Sequence, residues 1–163
     1  MTKFFLGLAI IAFTTFCGYL LTKKHRKRHT FFTQFTEFNE RFLSEIAYFK
    51  RPVGEFLAKK SYRGEFAEFL ELYYKNIANP QAIKTALFTD DYAFLNKEEK
   101  TVIFDYFFSL GKGNAISQSA YFNGMKVTLK TLKENAEKDN KRYGDLFIKL
   151  GFLCGLLILI LIV

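Results

Sequence analysis

The chain reads as an all-α, membrane-anchored helical bundle between two terminal transmembrane helices, with a last helix that is long and continuous into the membrane. Three observations predict it. Residues 4–21 (FFLGLAIIAFTTFCGYLL) carry no charge and residues 146–163 (LFIKLGFLCGLLILILIV) carry one, so each approaches the roughly 20 apolar residues that a spanning helix needs. Between them large apolar residues recur at spacings of three and four, the period of one helix face. No alternating apolar and polar run is long enough for a sheet. The organisation expected is an N-terminal span over 1–22, one helical domain over 23–145 and a C-terminal span over 146–163.

The first apolar segment is expected to stay in place as an anchor. A secretory signal ends in small residues, whereas here the segment leaves through Phe16-Cys17-Gly18-Tyr19-Leu20-Leu21-Thr22, with no Ala-x-Ala pattern. Immediately after it come Lys23, Lys24, Arg26, Lys27 and Arg28, and Lys141, Arg142 and Lys149 flank or enter the second segment, against Lys3 alone outside. Lysine and arginine are retained on the cytoplasmic side, which places the middle in the cytoplasm and both termini outside. Each such residue near anionic lipid is worth about 1 kcal/mol, so the net charge of +8 is read as contact with membrane lipids and not with nucleic acid.

The middle is expected to be helical throughout. Phe31, Phe35, Phe38, Phe42, Ile46 and Phe49 form one apolar stripe, and Pro52 stops that helix and opens a short one through Val53, Phe56 and Leu57. Ser61 to Gly64 break the chain; Phe66, Phe69, Leu70, Tyr73 and Ile77 give the next stripe, ending at Asn79-Pro80. A small helix carries Ala82, Ile83, Ala86 and Leu87, closed by Thr89-Asp90-Asp91. Asn96 and Glu99 have the spacing of a capping box, opening a helix with Val102, Ile103, Tyr106, Phe107 and Leu110 on its apolar side and Gly111 at its end.

From Ala115 onward there is no proline, and Tyr121, Met125, Leu129, Leu132, Ala136, Tyr143 and Leu146 keep a near-heptad stripe into the second apolar segment. One helix on the order of 70 Å long is expected at 1.5 Å per residue, with Gly144 the place where it would bend. Lys126, Lys130, Lys133, Glu134, Glu137, Lys138 and Lys141 line its other faces. Inside the segment, Gly151 and Gly155 form a GxxxG, which lets a second helix backbone approach closely. A second copy of the chain and a different protein both remain open as the partner.

Residues for catalysis are missing from the pattern. Both histidines, His25 and His29, lie in the basic run and both cysteines, Cys17 and Cys154, in the apolar segments, so the middle offers no metal-ligand cluster and no Ser-His-Asp set. No cofactor and no enzymatic activity are expected. Gly111-Lys112-Gly113-Asn114 lacks the spacing of a phosphate-binding loop and reads as a turn between helices.

Three stretches resemble the stage III sporulation protein AB family of endospore-forming bacteria. Glu45-Ile46-Ala47-Tyr48 with Pro52 and Val53 is similar to its Glu-Ile-x-Tyr followed by Pro-Leu. Leu110-Gly111-Lys112-Gly113-Asn114-Ala115-Ile116-Ser117-Gln118 is similar to its Leu-Gly-x-x-Asp-x-x-x-Gln, with Asn114 where the family has an acidic residue. Arg142-Tyr143-Gly144 through Leu150-Gly151-Phe152 to Gly155-Leu156-Leu157 is similar to its closing segment.

The resemblance implies a structural component of the transenvelope channel between mother cell and forespore. It further implies action beside a cytoplasmic ATPase and other channel proteins, and a helical domain similar to those of type II secretion inner-membrane platform proteins. The location implied is the cell membrane, crossed twice, with the middle on the mother-cell side. Two other readings stand beside it: a membrane-bound enzyme acting on lipids, and a two-pass adaptor outside sporulation.

Overall fold

The computed structural model describes residues 2–45 and 62–162. Five α-helices follow one another among them: α1 (Thr2–Ser44), α2 (Gly64–Lys75), α3 (Pro80–Leu87), α4 (Lys97–Ser109) and α5 (Ala115–Ile162), with a 3-10 turn over Asp90–Tyr92 between α3 and α4. No strand occurs among the described residues. The chain divides into two compact units, one of Met1–His29 with Asn135–Val163 and one of Thr30–Glu134. Both divisions fall inside the segment 23–145 that the sequence marks off between its apolar ends.

Helix α1 corrects one expectation. The apolar start and the phenylalanine stripe, read from the sequence as separate elements, are one 43-residue helix running through the basic cluster. The reason is simple: no proline precedes Pro52 and no glycine lies between Gly18 and Gly54, while Lys and Arg are good helix formers. The expected Ile46, Tyr48, Phe49, Pro52, Val53, Phe56 and Leu57 lie outside the described residues.

The unit of residues 30–134 is built on aromatic rings. Phe31, Phe35, Phe38 and Phe42 are buried on α1, as the stripe predicts, and Phe32 and Leu43 join them, so the covered face is wider than one stripe. Phe66, Phe69 and Tyr73 of α2, Tyr106 and Phe107 of α4, and Phe122 of α5 complete the cluster. Ring centres lie 5.2 Å apart for Phe31 and Phe66, 4.7 Å for Phe35 and Tyr106, 4.8 Å for Phe69 and Phe107, and 5.0 Å for Phe42 and Phe122, all edge-on. Such pairs add about 0.5–1.5 kcal/mol beyond the burial of their area. A chain with 21 phenylalanines and no tryptophan thus packs its core by interlocking rings.

Two polar links cross this core. Asn39, fully buried, donates from Nδ2 to the Phe122 carbonyl at 3.2 Å and accepts the Tyr106 hydroxyl at 2.8 Å. Tyr73 donates its hydroxyl to the Phe107 carbonyl at 3.1 Å. Burial pushes the Tyr73 phenol up to about 12 and the Tyr106 phenol well above its ordinary 10, so both keep the proton they donate.

The helix boundaries follow local chemistry. Gly64 opens α2 at φ 61°, in the left-handed region that glycine tolerates. The end of α2 is a correction: it stops at Lys75 with Asn76 as C-cap, Ile77 is exposed beyond it, and Asn79 with Pro80 begins α3, where the Asn79 side chain accepts the Ala82 N–H. Proline fits a first helical turn because no N–H is needed there. At α4 the capping box forms as predicted, with Asn96 Oδ1 accepting from Glu99 N–H at 2.8 Å and Glu99 Oε2 accepting from Asn96 N–H at 2.9 Å.

Helix α5 is continuous over 48 residues, through Gly144. Phe122, Leu129 and Ala136 are buried at a seven-residue repeat, and Gly155 is buried further along. Leu129 and Ala136 were expected, but Tyr121 and Leu146 are exposed. Phe122 stands three residues before Met125 and Tyr121 four, and spacing alone does not choose between them. Lys130 with Glu134 and Lys141 with Glu137 form i,i+4 ion pairs on its surface.

Candidate anchoring pair and surface motifs

In the unit of residues 1–29 and 135–163, α1 and α5 come into backbone contact at glycines. A Cβ added to Gly151 would lie 2.6 Å from the Thr14 carbonyl oxygen, and one added to Gly155 would lie 2.8 Å from Ile11 Cα and 2.5 Å from Thr14 Oγ1. Gly18 meets the Phe147 carbonyl and Gly7 the Leu159 side chain just as closely. Both members of the GxxxG therefore face α1 of the same chain. Gly7, Thr14 and Gly18 were not singled out in the sequence, although Thr14 and Gly18 have the small-xxx-small spacing that permits such an approach.

Hydroxyl groups in this pair are satisfied within their own helix. Thr14 Oγ1 donates to the Ile10 and Ile11 carbonyls at 3.0 and 3.1 Å, Thr15 Oγ1 to the Ile11 carbonyl at 2.7 Å, and Thr22 Oγ1 to the Tyr19 carbonyl at 2.8 Å. Large apolar side chains point the other way: Leu8, Phe13, Phe16 and Leu21 on α1, and Leu153, Leu157, Ile160 and Leu161 on α5, are exposed. Among the described residues α5 is the one helix long and apolar enough to cross a membrane, with a mean hydropathy of 2.2 over its most apolar stretch.

Next to the apolar part lies the basic run. Lys23, Lys24, Arg26 and Lys27 are exposed. Arg28 differs from them: Nη1 donates to Asp139 Oδ2 at 2.6 Å, and its side chain is only 15% accessible, so its charge is directed at α5. His25 stacks on Tyr143 at 4.7 Å and on Phe147 at 6.2 Å. Desolvation by burial holds the His25 imidazole below 6.5, against the opposing pull of Asp139, with Lys24 and Arg28 adding smaller downward contributions.

The stretch from Leu110 to Gln118 forms the connection from α4 to α5 and the start of α5. Leu110 is buried and caps α4; Gly111 and Gly113 take φ of 75° and 86°, which suit glycine. Asn114 Oδ1 accepts the Ser117 N–H at 2.8 Å, and the Gln118 side chain donates back to the Lys112 carbonyl at 3.2 Å. Leu110, Gly111, Asn114 and Gln118 thus build a turn and a helix cap, with Ser117 and Lys112 as the hydrogen-bond partners. Of the first motif, Glu45 is half-buried at the end of α1, while Tyr48 and Pro52 lie outside the described residues.

Among the described residues no group of three or more His, Cys, Asp or Glu is placed to hold a metal ion. Cys17 and Cys154 are free thiols.

No curated protein and no solved structure matches the chain. The model of one family, described as stage III sporulation protein AB, matches residues 3–163. With a match over nearly the whole length, the chain belongs to the stage III sporulation protein AB family.

Proposed function

We propose that this protein is a non-enzymatic scaffold of the stage III sporulation channel, anchored by two membrane passes and presenting its middle unit to the mother-cell cytoplasm. The observation that carries the reading is the sidedness of the paired apolar helices. Glycine and threonine meet between α1 and α5, while phenylalanine and leucine face outward. In water the exposed apolar surface would associate; in lipid it is solvated, and small residues at the helix contact supply the packing that holds two spans together. Internally bonded threonine hydroxyls meet the requirement that polar groups be satisfied without water.

Two spans joined this way bring both ends of the middle segment to one membrane face. The exposed lysines beside the pair supply the positive charge that sets this face as cytoplasmic. The middle unit then has a rigid aromatic core and no part in the anchoring, which suits it to dock a cytoplasmic ATPase and neighbouring channel proteins. In this reading the type II secretion platform proteins are its counterparts.

Site-specific photo-crosslinking in sporulating cells tests this. A photoreactive residue at exposed Lys126 or Lys138 of α5 is expected to capture other channel components. Capture of none from any exposed position of residues 62–134 would overturn the scaffold role.

A further inference from the structure

One face of the middle unit carries a pattern that neither the core nor the anchor uses. On α4, Lys100, Phe104 and Phe108 succeed one another every four residues and so form a single ridge, and Lys112 follows in the turn just past the helix end. On α3, Pro80 and Lys84 are spaced the same way, and Phe88 follows as the C-cap of the helix. The two rows interleave: Lys84 Nζ stands 5.7 Å from the Phe104 ring centre, Lys100 Nζ 5.5 Å from Phe88, and Lys112 Nζ 2.9 Å from Phe108. Phe88, Phe108 and nearby Ile77 are about half exposed. A hollow of about 80 Å³ opens in this face, lined by Ile77, Pro80, Ile83, Phe104, Phe108 and Lys112 among others.

The charges here differ from those on α5. There, Lys130 and Lys141 have Glu134 and Glu137 as partners. Among the described residues no carboxylate lies within ion-pair distance of Lys84, Lys100 or Lys112; each ammonium rests on a ring face. Lys100 is buried, but Lys84 and Lys112 are exposed; cation–π contacts at exposed sites are worth only about 0.5–1 kcal/mol, so a carboxylate arriving from outside at these two adds an interaction that the chain itself does not supply. The apolar hollow needs a side chain as well.

We propose that the α3–α4 face docks an acidic amphipathic helix of a partner protein, one large apolar side chain filling the hollow and flanking Asp or Glu residues pairing with Lys84 and Lys112. A helix laid in a groove presents this combination, an apolar anchor row with polar flanks. A lipid surface would meet the same lysines, but a headgroup plane has no protruding group to fill a recess bounded by two helices. The inference rests on the scaffold reading and assigns its docking face.

The test uses the full chain. In sporulating cells a photoreactive residue replacing Phe108 is expected to crosslink to a protein segment that is amphipathic and rich in Asp or Glu, and Lys84→Glu with Lys112→Glu to abolish that crosslink. In nanodiscs of uncharged lipid, a labelled peptide with leucines at i, i+3, i+4 and i+7 flanked by glutamates is expected to bind. Charge reversal at the two lysines should weaken it about ten-fold or more, and replacing the peptide's glutamates by glutamine should do the same. Phe108→Ala, at a half-exposed position that leaves the core intact, should also weaken it, with an unchanged helical melt.

Crosslinks to lipid, crosslinks to a basic segment, or peptide binding indifferent to Lys84 and Lys112 would overturn the proposal. If the Phe108 position captures nothing while Lys126 or Lys138 still captures channel proteins, the docking face is wrong and the scaffold stands. If these three positions and every other exposed position of residues 62–134 capture nothing, both readings fail.

Discussion

Tyr106 donates a hydrogen bond from its hydroxyl to Asn39 Oδ1 at 2.8 Å, tying α4 to α1, and the Asn39 amide passes the link to α5 through the Phe122 carbonyl at 3.2 Å. Asn39 and Tyr106 are fully buried, and in such surroundings an orphaned polar group costs about 1–3 kcal/mol. The network therefore fixes how three helices meet in a core otherwise made of interchangeable rings.

Tyr106→Phe removes the donor and leaves the amide oxygen of Asn39 without it. Its expected cost is about 1–3 kcal/mol, read as a lower urea midpoint of the full chain in detergent micelles. Adding Asn39→Leu to Tyr106→Phe should cost less than the sum of the two single changes, because the orphan is removed with its partner. Additive losses would mean that the two residues are not coupled.

Gly151→Leu and Gly155→Leu should each separate α1 from α5, since a side chain there collides with the Thr14 carbonyl or with Ile11. Gly144→Ala is the control: nothing lies within 4 Å of its added Cβ, and alanine should raise helix stability by about 0.5–1 kcal/mol. Thermal melts in micelles followed by circular dichroism read both effects. Equal melts for Gly155→Leu and the native chain would rule out the close contact.

Helix caps give smaller, separable effects. Asn96→Ala removes the side-chain acceptor of the Glu99 N–H while leaving the backbone N–H that Glu99 accepts, and should cost about 1 kcal/mol. Asn114→Asp keeps the acceptor for Ser117 N–H and adds a negative charge at a helix start, so stabilisation of about 0.3–1 kcal/mol is expected at low salt. Denaturant midpoints at low and high salt check this, the gain from aspartate shrinking as salt rises.

Protonation of His25 should loosen the helix pair. The unfolded imidazole titrates near 6.5 and the folded one below it, so between those values the unfolded chain binds more protons and stability rises with pH. The contribution of the stacked neutral ring is complete above about 6.5 and is lost as the pH falls below it. His25→Phe, which keeps a ring against Tyr143, should flatten this part of the profile of melting temperature against pH. A profile unchanged by that substitution would assign the dependence elsewhere.

Helix periodicity and capping chemistry were readable because they are local. Asn96 and Glu99 specify their contact at a separation of three residues, and the 31, 35, 38, 42 stripe specifies its buried face without reference to anything else. Placement relative to a partner was not readable in the same way. Phe122 and Tyr121, three and four residues before Met125, both fit a helix face, and only the packing against Phe42 and Tyr106, centred 5.0 and 4.7 Å away, selects Phe122.

The glycine contacts show the same limit. Gly151 and Gly155 announce that a backbone approaches, and the spacing says nothing of whose backbone it is; Thr14 and Ile11 answer from more than a hundred positions away. The lysine and phenylalanine rows of α3 and α4 were hidden for a related reason. Each row is visible at intervals of four, but their interleaving depends on how the two helices pack.

Whether both apolar ends are embedded, with the middle unit on the cytoplasmic side, is tested most directly by cysteine labelling in intact cells. With Cys17 and Cys154 replaced by serine, single cysteines at Lys3, Lys126 and Val163 are challenged with a membrane-impermeant maleimide. The expected result is labelling at Lys3→Cys and Val163→Cys in intact cells, and at Lys126→Cys only after permeabilisation. Labelling of Lys126→Cys in intact cells, or protection of either end, would contradict the two-pass anchor.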